Sequence, residues 1–424
     1  MEQKKNENSY EFLKETIKEK PIDKKKVGKH IFCILLAGCL FGLAAAAAFS
    51  LTAPKITQNI QKKQEQSQIQ FPSDTKNDEE NTGSNTQEEE STAPASEPVV
   101  EELTPEKYQK LFADIFAKAQ IAEKSMVRVI GSKNDEVWFQ TPYESEISGL
   151  LVAESGQELF VLTEYRIVED VDRIQVVFCD GTITDARFLK GDKNTGFVIL
   201  KIPKSSISAE TREAITIAPL GESYAVSQGE PVLAIGSPMG YSDSVGYGIV
   251  TSTCNTVSKT DAEYSLLTTD IAGSSLGSGV LLNLEGEVIG LIAQSFARED
   301  TQNLVTGLGV SEVKEMIQIL SDETKDIIYM GITGKSITTD ISEKKGIPVG
   351  VFVEQVEVNS PAMQVGIQNG DVIIELNGEK IETVKGYQQQ LKSCKSGETI
   401  KVKAMRQGTE GYVEVDFEVT LQAR

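Results

Sequence analysis

The sequence predicts an all-β-dominated protein. A region of β-barrel architecture is followed by a smaller β-rich domain, and both stand behind a transmembrane helix and a disordered linker. Three observations carry this. From Met126 onward, short runs rich in β-branched residues (MVRVI, LFVLT, IQVVF, ARFLK, FVILKI, PVLAIG, YGIVTS, GVLLNL, EVIGLIA) alternate with Gly, Asp and Asn turns. Beyond a helical stretch at Ser311–Ser321, Gly370-Asp371 and Asn377-Gly378 bracket a new strand-like run, VIIEL. Near the N-terminus, Ile31 to Leu51 is uninterrupted apolar or small sequence, long enough to cross roughly 30 Å of hydrocarbon as a helix. A chain of 424 residues is too long for one ordinary domain, which agrees with two folded units plus tails.

The first 30 residues hold nine Lys against six acidic residues, whereas the whole chain has a formal net charge of -21. Lys24, Lys25, Lys26 and Lys29 precede the apolar stretch and Lys55 follows it. By the positive-inside bias, residues 1–30 form a cytoplasmic basic tail and 31–52 a single-pass anchor in the cell membrane, with the C-terminal domains extracytoplasmic. Two alternatives are a signal-peptidase site in the Ala run and a lipobox at Leu36-Ala37-Gly38-Cys39. The stretch is longer than the usual signal core and continues past Cys39, so membrane attachment through residues 31–51 is preferred. Residues 53–103 are Gln, Glu, Ser, Thr and Asn-rich with little to bury, a disordered acidic and polar linker with an r.m.s. span of about 40 Å. The acidity beyond the span repels polyphosphates and argues against a nucleic-acid partner.

Thr104-Pro105 has the form of an N-cap followed by proline at the first helical position. Tyr108, Leu111, Phe112, Ile115, Ala119 and Ala122 then recur at helical spacing as one apolar stripe that needs a partner surface.

Four stretches of the β-rich region are similar, in order and spacing, to landmarks of the trypsin-like serine protease family of the HtrA/DegP type. VLTEYRIV at 161–168 resembles the turn that carries the catalytic histidine, and Arg166 stands in the histidine slot. DKNTGFVILK at 192–201 resembles the segment that supplies the aspartate, with Gly196 in its place. GSPMGYSDSVGYGIVTS at 236–252 is similar to a glycine-rich strand pair, and TDIAGSSLGSG at 269–279 to the nucleophile loop, placing Ser278 at the nucleophile and Gly277 and Ser278 in the oxyanion loop. The resemblance implies a trypsin-like double β-barrel over residues 104–322, and a possible homo-oligomer, trimeric in the family, through the segment before the barrel.

The chemistry of such a triad needs a base that takes the serine proton and returns it to the leaving amine. The only histidine is His30, before the membrane span. Arginine is a donor-only cation that stays protonated, and glycine orients nothing. Loss of the base costs about a million-fold in an unrelated triad protease. Ser274-Ser275-Leu276-Gly277 also replaces the family's Asn-Pro-Gly-Asn. The domain is therefore expected to be catalytically inactive. Lys190 and Lys193 are the candidates for a rescuing Ser-Lys dyad, but nothing in the spacing sets either beside Ser278. Cys179, Cys254 and Cys394 are scattered singly and are expected to be small buried hydrophobes. No metal-ligand spacing and no cofactor motif is present beyond the span.

Residues 325–424 resemble a PDZ domain of the HtrA type. Tyr329-Met330-Gly331-Ile332 matches the carboxylate-binding loop, Gly350-Val351-Phe352-Val353 a strand, and Gly366-Ile367 through Ile373 the family's glycine-aspartate run. A PDZ domain adds an extended chain end to a sheet edge while loop amides hold its carboxylate. Met330, Gly331 and Ile332 would supply those amides, and Tyr387 and Leu391 on a helix at Val384–Lys392 would wall the groove. Three function classes follow: an inactive, membrane-anchored binder of polypeptide C-termini or unfolded segments, a working endopeptidase for misfolded envelope proteins, or an oligomeric scaffold.

Overall fold

The structure is a computed structural model that describes Phe71 and residues 104–133 and 143–424. The expected basic tail, membrane anchor and linker lie outside the described residues. Among the described residues, no helix is long and apolar enough to cross a membrane.

Helix α1 (Pro105–Ala122) begins as its sequence requires, with the Thr104 side chain accepting the Lys107 N–H and Pro105 in the first turn. The strands β1 (Met126–Lys133), β2 (Tyr143–Ser155), β3 (Glu158–Glu164), β4 (Arg173–Val177), β5 (Ile183–Asp185), β6 (Arg187–Asp192) and β7 (Phe197–Pro203) form one antiparallel sheet in the order β5-β4-β1-β2-β3-β7-β6. After the short helix α2 (Ala209–Ala214), strands β8 (Pro231–Ser237), β9 (Ser244–Lys259), β10 (Ala262–Ala272), β11 (Ser278–Leu282), β12 (Val288–Ile292) and β13 (Leu304–Gly309) close a barrel in the order β10-β13-β12-β11-β8-β9. Closure by hydrogen bonding is complete in this second lobe. In the first, the edge strands β5 and β6 pair only with β4 and β7.

Period-two alternation explains why these strands read as continuous apolar runs. On β3, Leu159 and Val161 enter the core of the first lobe while Phe160 and Leu162 face a second core between the lobes. On β8, Val232 and Ala234 fill the second lobe while Leu233 and Ile235 face the same shared core. A strand buried on both faces has no polar side to show. Helix α3 (Val310–Ser321) caps the shared core with Val313, Ile317 and Leu320. The stripe on α1 divides: Ile115, Ala119 and Ala122 are buried, Phe112 packs edge-on against Tyr247 at 5.3 Å, and Tyr108 and Leu111 stay exposed.

The C-terminal part comprises β14 (Ile328–Tyr329), β15 (Ile332–Ile337), α4 (Thr339–Lys345), β16 (Gly350–Val356), α5 (Pro361–Val365), β17 (Val372–Leu376), β18 (Glu379–Lys380), α6 (Val384–Ser393), β19 (Thr399–Gly408), β20 (Gly411–Thr420) and β21 (Gln422–Ala423). Its main sheet runs β15-β16-β17-β19-β20. Asn377 and Gly378 take φ of 49° and 87°, both positive, so the residue pair suits the tight turn between β17 and β18. The cysteines correct the expectation of burial. Cys179 and Cys254 are exposed and Cys394 is half-buried, because Cys179 follows the end of β4 and Cys254 lies on a mostly exposed stretch of β9.

Candidate functional site

Two sites emerge, one where the sheet and barrel meet and one where the barrel meets the C-terminal domain.

At the first, Ser278 opens β11 and pairs with Ser237 on β8, only 2% exposed. Its hydroxyl accepts the backbone N–H of Ser148 on β2 at 3.1 Å, and the Ser148 hydroxyl in turn reaches that of Ser237 at 3.3 Å. Among the described residues, no imidazole, carboxylate or amine hydrogen-bonds to Ser278. Gly279 has φ 126°, and a Cβ there would collide with the Ile235 carbonyl, which is why glycine follows the serine. The preceding loop is closed on itself. The Gly277 N–H donates to the Ser274 carbonyl at 2.7 Å, the Ser274 N–H to Pro238, and Gln294 holds the Ser274 carbonyl from the other side at 3.0 Å. The Gly277 amide is thus spent within the loop.

Arg166 sits in a single helical turn, Tyr165–Ile167, directly after β3. Its guanidinium pairs with Glu164 at 2.7 Å and donates to the Leu276 carbonyl at 3.0 Å, tying the turn after β3 to the loop before Ser278. Burial holds the Glu164 carboxyl above its ordinary value, with Arg166 acting against that shift. Gly196 lies beside the same turn, its carbonyl accepting the Tyr165 N–H at 2.6 Å, with φ 75° and open space where a side chain would project. The structure therefore brings Arg166, Gly196 and the Ser278 loop into one neighbourhood. The two lysines considered for rescue are engaged elsewhere: Lys190 donates to the carbonyls of Asp322 and Lys325, and Lys193 stands 5.4 Å from the centre of the Tyr165 ring.

At the second site, the amides of Met330, Gly331 and Ile332 converge on one carboxylate, that of Asp261 in the two-residue turn between β9 and β10. Oδ2 accepts from Met330 at 2.8 Å and Gly331 at 2.7 Å, while Oδ1 accepts from Ile332 at 3.1 Å and from the Tyr387 hydroxyl at 2.6 Å. Gly331 is required here: φ is 95°, and a Cβ would overlap the Ser360 side chain. Burial pushes the Asp261 carboxyl up, opposed by those four donors, and pushes the Tyr387 hydroxyl up as well. Tyr387 and Leu391 both belong to the buried core of this domain, and Leu391 also lines the cavity along the seam with the barrel, together with Ala262, Tyr264 and Met316. The Tyr329 hydroxyl donates to Glu357 at 2.8 Å.

Sequence reasoning missed Asp261, Glu164 and Ser148. Thr260-Asp261 is legible as a turn between strands, but nothing in the spacing links it to a loop 70 residues later.

A trypsin-like peptidase domain family matches residues 147–291, and a PDZ domain family matches residues 328–417. A probable periplasmic serine endoprotease, DegP-like, of Pseudomonas putida (strain GB-1) is 30% identical over 273 residues, 63% of this chain and 55% of the relative. The serine protease Do-like HtrA of Lactobacillus helveticus is 26% identical over 295 residues, 66% of this chain and 68% of the relative. The chain thus spans about half the length of the Pseudomonas putida relative. Among solved structures, the HtrA-type protease AlgW with decapeptide superposes with a TM-score of 0.55 at 20% identity, over 73% of this chain and 98% of that one, a likeness of fold. Two family matches in this order, with relatives of one kind, support an HtrA-family protein, a trypsin-like peptidase fold followed by a PDZ domain.

Proposed function

We propose that this HtrA-family chain is a membrane-anchored, extracytoplasmic binding protein whose protease-shaped body, residues 104–322, does not cleave peptides. Its PDZ domain, residues 325–424, takes polypeptide C-termini or unfolded segments of envelope proteins. The observation that carries the binding half is the convergence of the Met330, Gly331 and Ile332 amides on a carboxylate, the group at every chain end. The inactive half rests on chemistry: Arg166 is no proton acceptor, Gly196 orients nothing, and the Ser278 hydroxyl and Gly277 amide are both engaged within the fold. A periplasmic relative agrees with an extracytoplasmic body.

The test uses the full chain in detergent. Peptides with free carboxylates should bind and their amidated versions should not, while a serine-directed covalent probe leaves Ser278 unlabelled and casein stays intact. Casein hydrolysis that disappears in Ser278→Ala would replace this reading with that of an active endopeptidase, the activity its relatives' names carry. The exposed Tyr108 and Leu111 on α1 favour self-association as an accompanying property. Sedimentation before and after Leu111→Glu reads it out.

A further inference from the structure

We infer that the β9–β10 hairpin is a built-in ligand of the PDZ domain: Asp261 occupies the carboxylate-binding loop in cis, and a free chain end binds only by displacing it. This rests on the reading that the loop recognises chain ends.

The contact has the chemistry of a ligand and not merely that of a domain seam. Asp261 takes hydrogen bonds from the Met330, Gly331 and Ile332 amides through its side chain and gives its own backbone N–H to the Ile332 carbonyl at 2.6 Å. Giving and taking at the same strand-edge residue is how the last residue of an added strand is held. Asp261 is 6% exposed, and a buried carboxylate carries a desolvation cost that its hydrogen-bond partners must offset. Packing alone would be served as well by an apolar residue. The turn also asks for a residue that tolerates φ 58°, which Gly or Asn would supply without a charge. The carboxylate is therefore explained by the loop it enters.

Neighbouring contacts hold the hairpin in place. The Thr260 hydroxyl donates to Glu357, the Glu263 N–H to Gln388 on α6 at 3.4 Å, and Lys385 on α6 reaches Glu312 at 2.7 Å and the Ser265 hydroxyl at 2.9 Å. Lys392, one further turn pair along α6, pairs with Glu315. A ligand tethered in this way acts at an effective concentration on the order of millimolar, so only chain ends that bind well or arrive in bulk displace it. The apparent affinity for an outside peptide falls in proportion to the fraction of molecules whose loop is open.

The experiment compares full-length wild type, Asp261→Asn and Asp261→Gly, each of which tolerates the turn's positive φ. The probe is a fluorescein-labelled pool of random decapeptides with free carboxylates, read by anisotropy, alongside hydrogen exchange at Met330–Ile332. Both variants should bind the pool about tenfold or more tightly than wild type. The amides of 330–332 should exchange faster in both, and an excess of pool should speed exchange across the hairpin in wild type. Equal affinity for wild type and variants overturns the cis ligand while leaving chain-end recognition standing. Absence of carboxylate-dependent binding in all three overturns the recognition reading itself, and the cis ligand with it.

Discussion

The Ser278 hydroxyl accepts the backbone N–H of Ser148 at 3.1 Å, joining the residue at the nucleophile position to the central sheet of the neighbouring lobe. That bond gives Ser278 a structural task that survives the loss of chemistry. Ser278→Ala leaves a buried N–H without its acceptor, a cost of about 1–3 kcal/mol. We expect the variant to unfold at lower denaturant concentration with casein hydrolysis unchanged from background. Equal stability of variant and wild type in urea titrations would remove the structural account.

Arg166 is expected to hold the loop before Ser278 shut. Its guanidinium is the donor for the Leu276 carbonyl and the partner of Glu164. In Arg166→Ala, amide exchange across Leu276 and Gly277 should rise severalfold, with little change in global stability because the guanidinium is substantially exposed. The paired change Arg166→His with Gly196→Asp should still leave Ser278 unlabelled by a fluorophosphonate probe. The reason is that the Gly277 amide closes on Ser274 and the serine hydroxyl is already engaged. Labelling of the double variant would show that the loop opens once a base is present.

The strand runs, the glycine turns and the order of the two folded parts were legible because each follows from local chemistry. Asn377-Gly378 takes its turn from two positive φ angles. Pairings distant in sequence carry no local signature. The Asp261 turn reads as any two-residue hairpin until the fold sets it against residues 330–332. Exposure is equally hidden: Tyr108 and Leu111 share helical spacing with the buried Ile115, yet α1 covers the shared core with only part of its stripe. The membrane span and the linker fall outside the described residues.

Gly331 should be intolerant of any side chain. At φ 95°, Gly331→Ala combines a left-handed backbone cost with overlap against Ser360 and an approach of 3.0 Å to the Tyr329 hydroxyl. Together these amount to about 2 kcal/mol or more. The expected result is loss of carboxylate-dependent peptide binding with the Ser278 lobe still folded. Intact binding by the alanine variant would show that the loop relaxes more readily than its packing indicates.

Asp371, in the turn before β17, is 1% exposed and bound by both arms of Arg406 on β19 at 2.7 Å, with the Gln368 N–H as a further donor at 2.8 Å. The sequence places this aspartate in a glycine-aspartate turn but says nothing of the arginine 35 residues on. Removing one partner of a fully buried pair costs about 3–5 kcal/mol because the other charge is left uncompensated. The Arg406 side chain keeps 30% exposure, so water reaches the gap and about 2 kcal/mol is the expected loss for Arg406→Ala. Arg406→Lys retains the charge and loses the fork, which should recover only part of it. Both changes are read in the urea midpoint of the PDZ-domain transition. A lysine variant as stable as wild type would show that charge alone, without bidentate geometry, secures this turn.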